Sequence, residues 1–519
     1  MKKIVIAALS VLALASCCKE VSTPILTVEG GQIQGVTTDI QGVFAYKGIP
    51  YAAAPIGDLR WKEPQPVVAW EGVRDCSEFG HPGYQAVHYP GGYTTEGGYG
   101  EESPYSEDCL YLNVYTKAPG QVDKKLPVAL WIHGGGYREG WGSEPEFDAQ
   151  EWAAKGVILV SINYRLGVFG FLSHPELSAE SPQKVSGNYG ILDQIESLKW
   201  IKKNIAQFGG DADNVTIFGQ SAGGGSVRTL CESPLARGLF HKAIIMSAGG
   251  LTVPGQGSAM GNRRGGFPGF GAPAAQEKKI AAYKAPEAPA DLTPLQRAEF
   301  NTKVVMDWAG YNTLAKMRAA DTEVMHSVAA IYNNATGNFG SISGSPIVDG
   351  YVSLESFDAA AIDGSLADVP YMIGYTLNDM GNMSDGIAAF CKNRQEKGNK
   401  AYAYEFARPL PDDGSHPEVT ARLKGAFHSS ELWFVFKSLE HCWRPWTQGD
   451  WDLSEKMLTA WTNFAKYSDP NGANGGEWTP LTEENPNFML FMLDQNDAEA
   501  SQMGTPITGE NFPWANASK

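Results

Sequence analysis

The chain has 519 residues, 43% of them hydrophobic and 19% charged, which is typical of a globular protein and excludes a largely disordered one. Its formal net charge of −17 argues against nucleic acid or an anionic lipid surface as a partner. No apolar run reaches the roughly 18 residues that a membrane-spanning helix needs.

The N-terminus has the pattern of a bacterial export signal. Two lysines precede an apolar run over residues 4–15, which is too short to span a bilayer. The tetrapeptide Leu-Ala-Ser-Cys that ends at Cys17 resembles a lipobox, although an ordinary signal peptide is the alternative. We expect a lipoprotein signal peptide over residues 1–16, a tether over residues 17–24 and lipidation of Cys17. The lipid would anchor an exported protein on a periplasmic or cell-surface membrane face.

Export would place the remaining cysteines where disulfide bonds can form. Six cysteines follow Cys17, which allows fifteen complete pairings, and their spacing does not choose among them. None has the C-x-x-C spacing of a zinc site, so no metal site is predicted. The six are Cys18, Cys76, Cys109, Cys231, Cys391 and Cys442.

The first part of the domain is predicted to form short strands and turns. Residues 27–33 predict a hairpin with a glycine pair at its turn. The pattern G-I-P-Y-A-x-x-P-x-G-x-x-R-W then runs from Gly48 to Trp61. It resembles the opening of the type-B carboxylesterases, the family that contains the cholinesterases. The resemblance implies an α/β-hydrolase fold, with a mostly parallel central sheet flanked by helices.

A second segment, which begins at Glu107, is similar to the E-D-C-L-x-L-N-V signature of that family. In the family this cysteine is paired with one about thirty residues upstream, so the resemblance implies a disulfide between Cys76 and Cys109. Closing a loop of that length would stabilise the fold by roughly 3–4 kcal/mol on the chain-entropy model. The resemblance also implies two ion pairs, Arg60 with Glu107 and Arg165 with Asp193.

A glycine loop follows the next predicted strand. Residues 128–132 are an apolar run typical of a buried strand, and His133-Gly134-Gly135-Gly136 comes directly after it. Glycines here let backbone N–H groups approach a ligand closely, although a flexible turn is the alternative. In α/β hydrolases an H-G-G-G loop supplies oxyanion-hole donors. By the resemblance, the donors are the amides of Gly135, Gly136 and Ala222.

A strand–helix–strand unit comes next. Residues 157–163 predict a strand, and apolar residues recur at helical spacing from Ile191 to Ile205. The helix is predicted to end at Gly209-Gly210, before a strand at residues 215–218. This order implies a crossover connection and a mostly parallel sheet.

The pentapeptide Gly219-Gln220-Ser221-Ala222-Gly223 follows that strand at once. A strand, G-x-S-x-G and a helix are the context of a nucleophile elbow, in which a strained turn between small residues presents a serine at the end of the sheet. The following helix directs its N-terminal N–H groups toward negative charge that develops there. A glycine-rich turn without a catalytic role is the alternative. The glycine loop upstream makes Ser221 the candidate nucleophile.

Residues 251–275 differ in composition from the rest of the chain. They are rich in glycine and proline, which predicts a mobile insert and not a new domain. The sequence leaves open whether this insert covers a site. Residues 277–330 are predicted to be largely helical. Because the resemblance continues to the end, residues 25–519 are predicted to form a single carboxylesterase-type domain.

A serine hydroxyl needs a base, and the base needs an acid that orients it. In this fold the acid and then the histidine follow the serine along the chain. A strand is predicted over residues 369–374. The family pattern G-x-x-x-D-E-G, aligned on Gly374, places Asn378 at its Asp and Asp379 at its catalytic Glu. Because Asp is one methylene shorter, the acid loop or the histidine must lie about 1 Å closer.

Three histidines follow the acid, and their spacing does not choose among them. His428 lies in the segment 425–432, which is similar to the G-A-x-H-x-x-E-L of the family, so the resemblance selects it over His416 and His441. Asp349 matches a different family motif and is not predicted to be the acid.

The resemblance therefore implies a serine carboxylic-ester hydrolase that acts through an acyl-enzyme, with a Ser221, Asp379 and His428 triad and without a metal or cofactor. The substrate is expected to be a small-molecule or glycan-linked ester, and a feruloyl or acetyl esterase acting on plant polysaccharides is the alternative. A non-catalytic binding protein on the same fold is a remote one. Residues 77–106 contain no Trp, which argues against the choline esters that cholinesterases hold by cation–π attraction.

Overall fold

The structure is a computed structural model, and it describes residues 23–85, 104–253, 283–338, 342, 344–421, 423–493 and 501–503. The predictions for the signal peptide, for Cys17 and for most of the insert and of the 77–106 loop lie outside these ranges.

Fourteen described strands form one large and one small sheet. They are β1 (Ile25–Val28), β2 (Gly31–Gln34), β3 (Val36–Thr37), β4 (Phe44–Pro50), β5 (Val73–Asp75), β6 (Tyr111–Thr116), β7 (Leu126–Ile132), β8 (Ile158–Ile162), β9 (Gly210–Gln220), β10 (Lys242–Met246), β11 (Tyr371–Thr376), β12 (Ala401–Phe406), β13 (Met489–Leu493) and β14 (Ser501–Met503).

Helices connect the strands and cover both faces of the large sheet. The α-helices of the described ranges are α1 (Gln150–Ala154), α2 (Gly167–Phe171), α3 (Pro175–Glu180), α4 (Tyr189–Asn204), α5 (Ala222–Glu232), α6 (Pro294–Trp308), α7 (Leu314–Ala319), α8 (Thr322–Thr336), α9 (Phe357–Asp363), α10 (Ser384–Glu396), α11 (Pro417–Thr420), α12 (Leu432–Phe436) and α13 (Gln448–Tyr467). Helices α6 to α8 confirm the predicted helical character of the region before residue 330. None of the helices in the described part of the chain is long and apolar enough to cross a bilayer.

The large sheet has the strand order β14-β13-β12-β11-β10-β9-β7-β8-β6-β4-β3. Every neighbouring pair from β13 to β8 is parallel, and the outer pairs are antiparallel. This confirms the predicted mostly parallel sheet. The small sheet has the order β1-β2-β5, in which β1 and β2 form the predicted hairpin.

The strand register brings the carboxyl ends of four central strands to one level. Ile132 at the end of β7 lies opposite Gly219 in β9, and Gln220 lies opposite Met246 in β10. Met246 in turn lies opposite Gly374 in β11. The loops that leave β7, β9, β10 and β11 therefore meet at one edge of the sheet.

Alternate side chains of β7 face opposite cores, which explains its continuous apolar run. Val128, Leu130 and Ile132 pack in the core beneath α4 and α5, whereas Ala129 and Trp131 pack in the core beneath α12 and α13. The sheet is thus buried on both faces, and its central strands are held rigidly in register.

The predicted bounds of one helix and one strand differ from the observed ones, because a 3₁₀ turn ends the helix early and a proline delays the strand. Helix α4 ends at Asn204, because residues Ile205–Phe208 form a 3₁₀ turn before Gly209, whose φ of 81° suits glycine. Strand β11 begins after Pro370, which has no N–H to donate to a neighbouring strand.

Two buried ion pairs confirm the pairings that the resemblance predicted. Arg60 donates to both carboxylate oxygens of Glu107 at 2.7 and 2.5 Å, and it also donates to the carbonyl of Ala320 after α7. Arg165 donates to both carboxylate oxygens of Asp193 at 2.8 and 2.6 Å. Arg60 ties its loop to α7 by donating to the carbonyl of Met317, and Arg165 ties its loop to α4, which bears Asp193.

The structure contradicts the predicted disulfide between Cys76 and Cys109, because both are buried, free thiols. Burial raises the pKa of the Cys76 thiol to about 12 and holds that of Cys109 well above its usual value. Thiol–disulfide exchange proceeds through the thiolate. With both thiols buried and protonated, thiol–disulfide exchange at this pair would be slow once the fold has formed.

Candidate active site

Ser221 lies in the tight turn between β9 and α5. Its backbone has φ 57° and ψ −121°, a conformation that costs of the order of 1–3 kcal/mol for a residue other than glycine. The Ser221 N–H donates to the carbonyl of Met246 at 2.9 Å, so the end of β10 helps to hold the turn. This is the geometry of a nucleophile elbow at the edge where the strand ends meet.

The small residues around Ser221 are required by close backbone contacts. A Cβ on Gly219 would lie 2.5 Å from the carbonyl carbon of Gly223, and one on Gly223 would lie 2.0 Å from the carbonyl oxygen of Ile132. A Cβ on Gly224 would lie 2.7 Å from the carbonyl oxygen of Met246. The prediction that the flanking positions must be small is therefore confirmed.

The glycine loop after β7 lies directly beside the elbow. A Cβ on Gly134 would be 3.2 Å from the Cβ of Ser221, and Gly135 and Gly136 have φ values of 91° and 61°. Among the described residues, nothing accepts a hydrogen bond from the N–H of Gly135 or Gly136. Ala222 is the first residue of α5, where the N–H has no partner within the helix. Three amides near the serine are thus available to an anion.

His133 supports this loop and is not a proton donor at neutral pH. Burial lowers its pKa to about 4, and its ring stacks on that of Tyr164 at a centroid distance of 4.4 Å. The Tyr164 hydroxyl donates to the His133 carbonyl at 3.0 Å. The neutral imidazole of His133 therefore supports the glycine loop by packing.

Asp379 and His428 are in direct contact. His428 Nδ1 lies 2.7 Å from Asp379 Oδ1, and the Asp379 side chain is completely buried. The N–H of Met380 donates to Oδ1 at 2.7 Å, and the N–H and hydroxyl of Thr376 donate to Oδ2 at 3.3 and 3.2 Å. Burial alone would raise the pKa of Asp379, but the charge and hydrogen bond of His428, then Ser247 and the N–H of Met380, lower it. The carboxylate therefore stays ionised.

The contact with Asp379 raises the pKa of His428, whereas the same contact lowers that of Asp379. Burial alone would lower the pKa of His428, but the charge and the hydrogen bond of Asp379 raise it above its usual value. Its other ring nitrogen, Nε2, lies 3.3 Å from Nε2 of Gln220, the residue just before Ser221. The Ser221 hydroxyl itself makes no hydrogen bond with a described residue. The structure thus joins two predicted triad members directly and places Nε2 of the base beside Gln220, the chain neighbour of the third.

Sequence reasoning missed two residues that lie behind the acid. The Ser247 hydroxyl donates to Oε1 of Glu431 at 3.3 Å and helps to lower the pKa of Asp379, and the Glu431 side chain is fully buried. Burial, and then the charge of Asp379, raise the pKa of Glu431 to about 7. Glu431 belongs to the motif that selected His428, so a signal for it was present, whereas nothing in the sequence singled out Ser247.

The other residues considered from the sequence have structural surroundings. Asp349 accepts three backbone N–H groups of its own turn. His441 contacts Asp148 at 3.2 Å, and His416 packs on the ring of Trp443. Within the described ranges, we find no group of three or more histidine, cysteine or acidic side chains that could hold a metal ion.

Comparison with known proteins agrees with this geometry. The profile of the Carboxylesterase family matches residues 22–263 and 382–507. Fumonisin B1 esterase of Sphingopyxis macrogoltabida is 35% identical over 516 residues, which cover 89% of this chain and 85% of that protein. Para-nitrobenzyl esterase of Bacillus subtilis is 46% identical over 230 residues, 44% of each chain.

Solved structures extend the similarity to three dimensions. A crystal structure of a Geobacillus stearothermophilus carboxylesterase superposes with a TM-score of 0.71 at 27% identity, covering 95% of this chain and 99% of that one. The two relatives are named as esterases, and the solved carboxylesterase shares the α/β-hydrolase fold of this chain. The chain belongs to the carboxylesterase family and is a hydrolase of esters.

Proposed function

We propose that the protein is a serine carboxylic-ester hydrolase that works through an acyl-enzyme, with Ser221 as nucleophile, His428 as base and Asp379 as the orienting acid. The 2.7 Å contact between His428 Nδ1 and Asp379 supports this proposal most directly, because it leaves Nε2 directed at the elbow. No metal or cofactor has a role in this mechanism.

In the first half of the reaction, His428 Nε2 takes the Ser221 hydroxyl proton as the serine oxygen attacks the ester carbonyl. The developing oxyanion is received by the N–H groups of Gly135, Gly136 and Ala222. Each such donor is worth about 3–4 kcal/mol to the transition state. Asp379 stabilises the imidazolium, and by accepting a hydrogen bond from Nδ1–H it fixes the tautomer in which Nε2 is free to act as the base.

To complete acylation, the imidazolium of His428 gives its proton to the leaving alcohol as the carbon–oxygen bond breaks. Water then attacks the acyl-enzyme, with His428 again accepting a proton at Nε2. The tetrahedral intermediate collapses, Ser221 recovers its proton, and the carboxylic acid leaves. Deacylation therefore repeats the steps of acylation in reverse order, with water in place of the alcohol.

The decisive experiment is Ser221→Ala, measured with p-nitrophenyl esters. Hydrolysis should fall by orders of magnitude, because no other group can form the acyl-enzyme. Ser415→Ala, which changes an exposed serine in the turn before α11, serves as the matched control. Near-full activity of Ser221→Ala would sink the assignment.

The alcohol and acyl groups of the substrate are best resolved by a panel of esters. The panel should contain aryl esters, feruloyl esters, acetylated sugars and fumonisin B1, the compound in the name of one relative. Preferential hydrolysis of feruloyl or acetyl-sugar esters would favour a role on plant polysaccharides. Hydrolysis of no ester at all would favour a non-catalytic binding protein on this fold.

We also propose that the protein is exported and held on a membrane by a lipid on Cys17. The lipobox-like tetrapeptide that ends at this residue supports it. Cys17→Ser should move the protein from the membrane fraction to the soluble fraction of the producing cells. If the variant sediments with membranes as the unchanged protein does, the anchor is not at Cys17.

A further inference from the structure

The loop that bears the acid and the loop that bears the histidine are joined by a pair of hydrogen bonds. The N–H of Asn378 donates to the carbonyl of Ala426 at 2.9 Å, and the N–H of Ala426 donates to Oδ1 of Asn378 at 3.0 Å. Asn378 also forms a parallel bridge with Phe427. One residue thus uses both its backbone and its side chain to hold the two loops together.

The residue before Ala426 is shaped to receive this side chain. Gly425 has φ 71°, and a Cβ at this position would lie 2.2 Å from Oδ1 of Asn378. The amide of Asn378 therefore occupies the space that any other residue at position 425 would fill. The two loops are complementary at this point, and the pairing is more than a chance surface contact.

The next residue in one loop is the acid, and the histidine lies two residues beyond Ala426 in the other. We propose that Asn378 is a positioning residue that clamps the loops so that the short side chain of Asp379 reaches Nδ1 of His428. This inference rests on the proposed function. It accounts for an aspartate where the family pattern has a glutamate, since the observed separation is 2.7 Å in spite of the missing methylene.

The clamp is tested by Asn378→Ala, which removes the acceptor for the Ala426 N–H. A misplacement of about 1 Å in a catalytic group costs up to about 10²-fold in rate. We expect kcat to fall by about 10- to 100-fold with KM unchanged, because Asn378 contacts the histidine loop and its loss acts on the geometry of the triad. Asn378→Asp keeps an acceptor oxygen in place, so it should recover most of kcat on the plateau of its pH profile.

A double variant separates positioning from general stability. Asp379→Glu alone lengthens the acid inside an intact clamp and should lower kcat. In Asn378→Ala/Asp379→Glu the released loop can move back to accommodate the longer side chain. The double variant should therefore be more active than the product of the two single losses predicts.

Rates are expressed per active site, titrated with a phosphonate that labels Ser221. A merely structural role would lower the number of titratable sites and leave kcat per site unchanged, which would overturn the proposal. Strictly multiplicative losses in the double variant would overturn it as well. If Asn378→Ala does not fold, Asn378→Gln, which displaces the acceptor by one methylene, takes its place with the same expected fall in kcat. Failure of the proposed function is a different result, namely an active Ser221→Ala.

Discussion

The two halves of the candidate site are built by different means. Ser221 and the glycine loop are positioned by backbone: strand ends in register, and glycines so close to neighbouring carbonyls that a Cβ would collide. Asp379 and His428 lie on loops beyond the sheet, where side-chain hydrogen bonds of Thr376 and Asn378 add to backbone ones in positioning them. In the half positioned by backbone, a substitution that adds atoms should disturb the fold. In the half positioned by side chains, a substitution can remove one hydrogen bond and leave the others in place.

The largest effect expected from the side-chain half is that of Asp379→Asn. The amide has nearly the same shape, but it favours the wrong tautomer of His428 and cannot stabilise the imidazolium. We expect kcat to fall by about 10⁴-fold with little change in thermal stability. The control is Asp412→Asn in an exposed turn, and a loss of less than tenfold would show that another group orients His428.

The backbone half is tested by Gly223→Ala. The new Cβ would lie 2.0 Å from the carbonyl oxygen of Ile132, which cannot move without disturbing β7. We expect a loss of about 3 kcal/mol in the free energy of unfolding, measured by denaturant titration, together with a loss of esterase activity. Gly225→Ala is the matched control, because the nearest atom there is the hydroxyl at the far end of the Tyr137 side chain. Equal stability of the two variants would contradict the backbone argument.

The junction of the two halves is the contact of Gln220 with His428, and pH reports on it. The base must be neutral, so activity should fall as pH drops through the raised pKa of His428, with a midpoint above about 6.5. Gln220→Glu places a carboxylate beside Nε2, which favours the imidazolium and should move the midpoint up by about one pH unit. Gln121→Glu, at an exposed turn, controls for net charge. A midpoint that does not move would place Gln220 away from the reacting nitrogen.

The smallest expected effect comes from Glu431→Gln, behind the acid. With its pKa raised to about 7, Glu431 gains charge across the working pH range, and that charge helps to raise the pKa of His428. Removing it should lower the midpoint of the acid limb by a few tenths of a unit, opposite in direction to Gln220→Glu. A pH–rate profile of both variants in one buffer series measures the two shifts, and a shared direction would falsify this charge assignment.

The difference between the two halves of the site also explains which parts of it the sequence could predict. Val128 to Ile132 and the residues around Ser221 form local patterns whose backbone consequences follow from periodicity and from glycine alone. The choice of His428 over His416 and His441 needed a family resemblance, because a histidine on a loop has no local signature. Ser247 could not be found at all, since its role arises only when β10, β11 and the segment before α12 meet. The disulfide was predicted from a pairing in relatives, whereas Cys76 and Cys109 are free thiols in this structure, and no local pattern in the sequence could have shown this.

The separation of the two halves along the chain has a consequence for biosynthesis. Strands β7 to β10, which build the elbow and its amides, are complete by Met246, whereas the base is residue 428. During translation the nucleophile is therefore made long before the group that activates it. A chain that stops in between lacks the general base and also lacks α12 and α13, which cover one face of these strands, so prematurely terminated products cannot turn over esters by this mechanism.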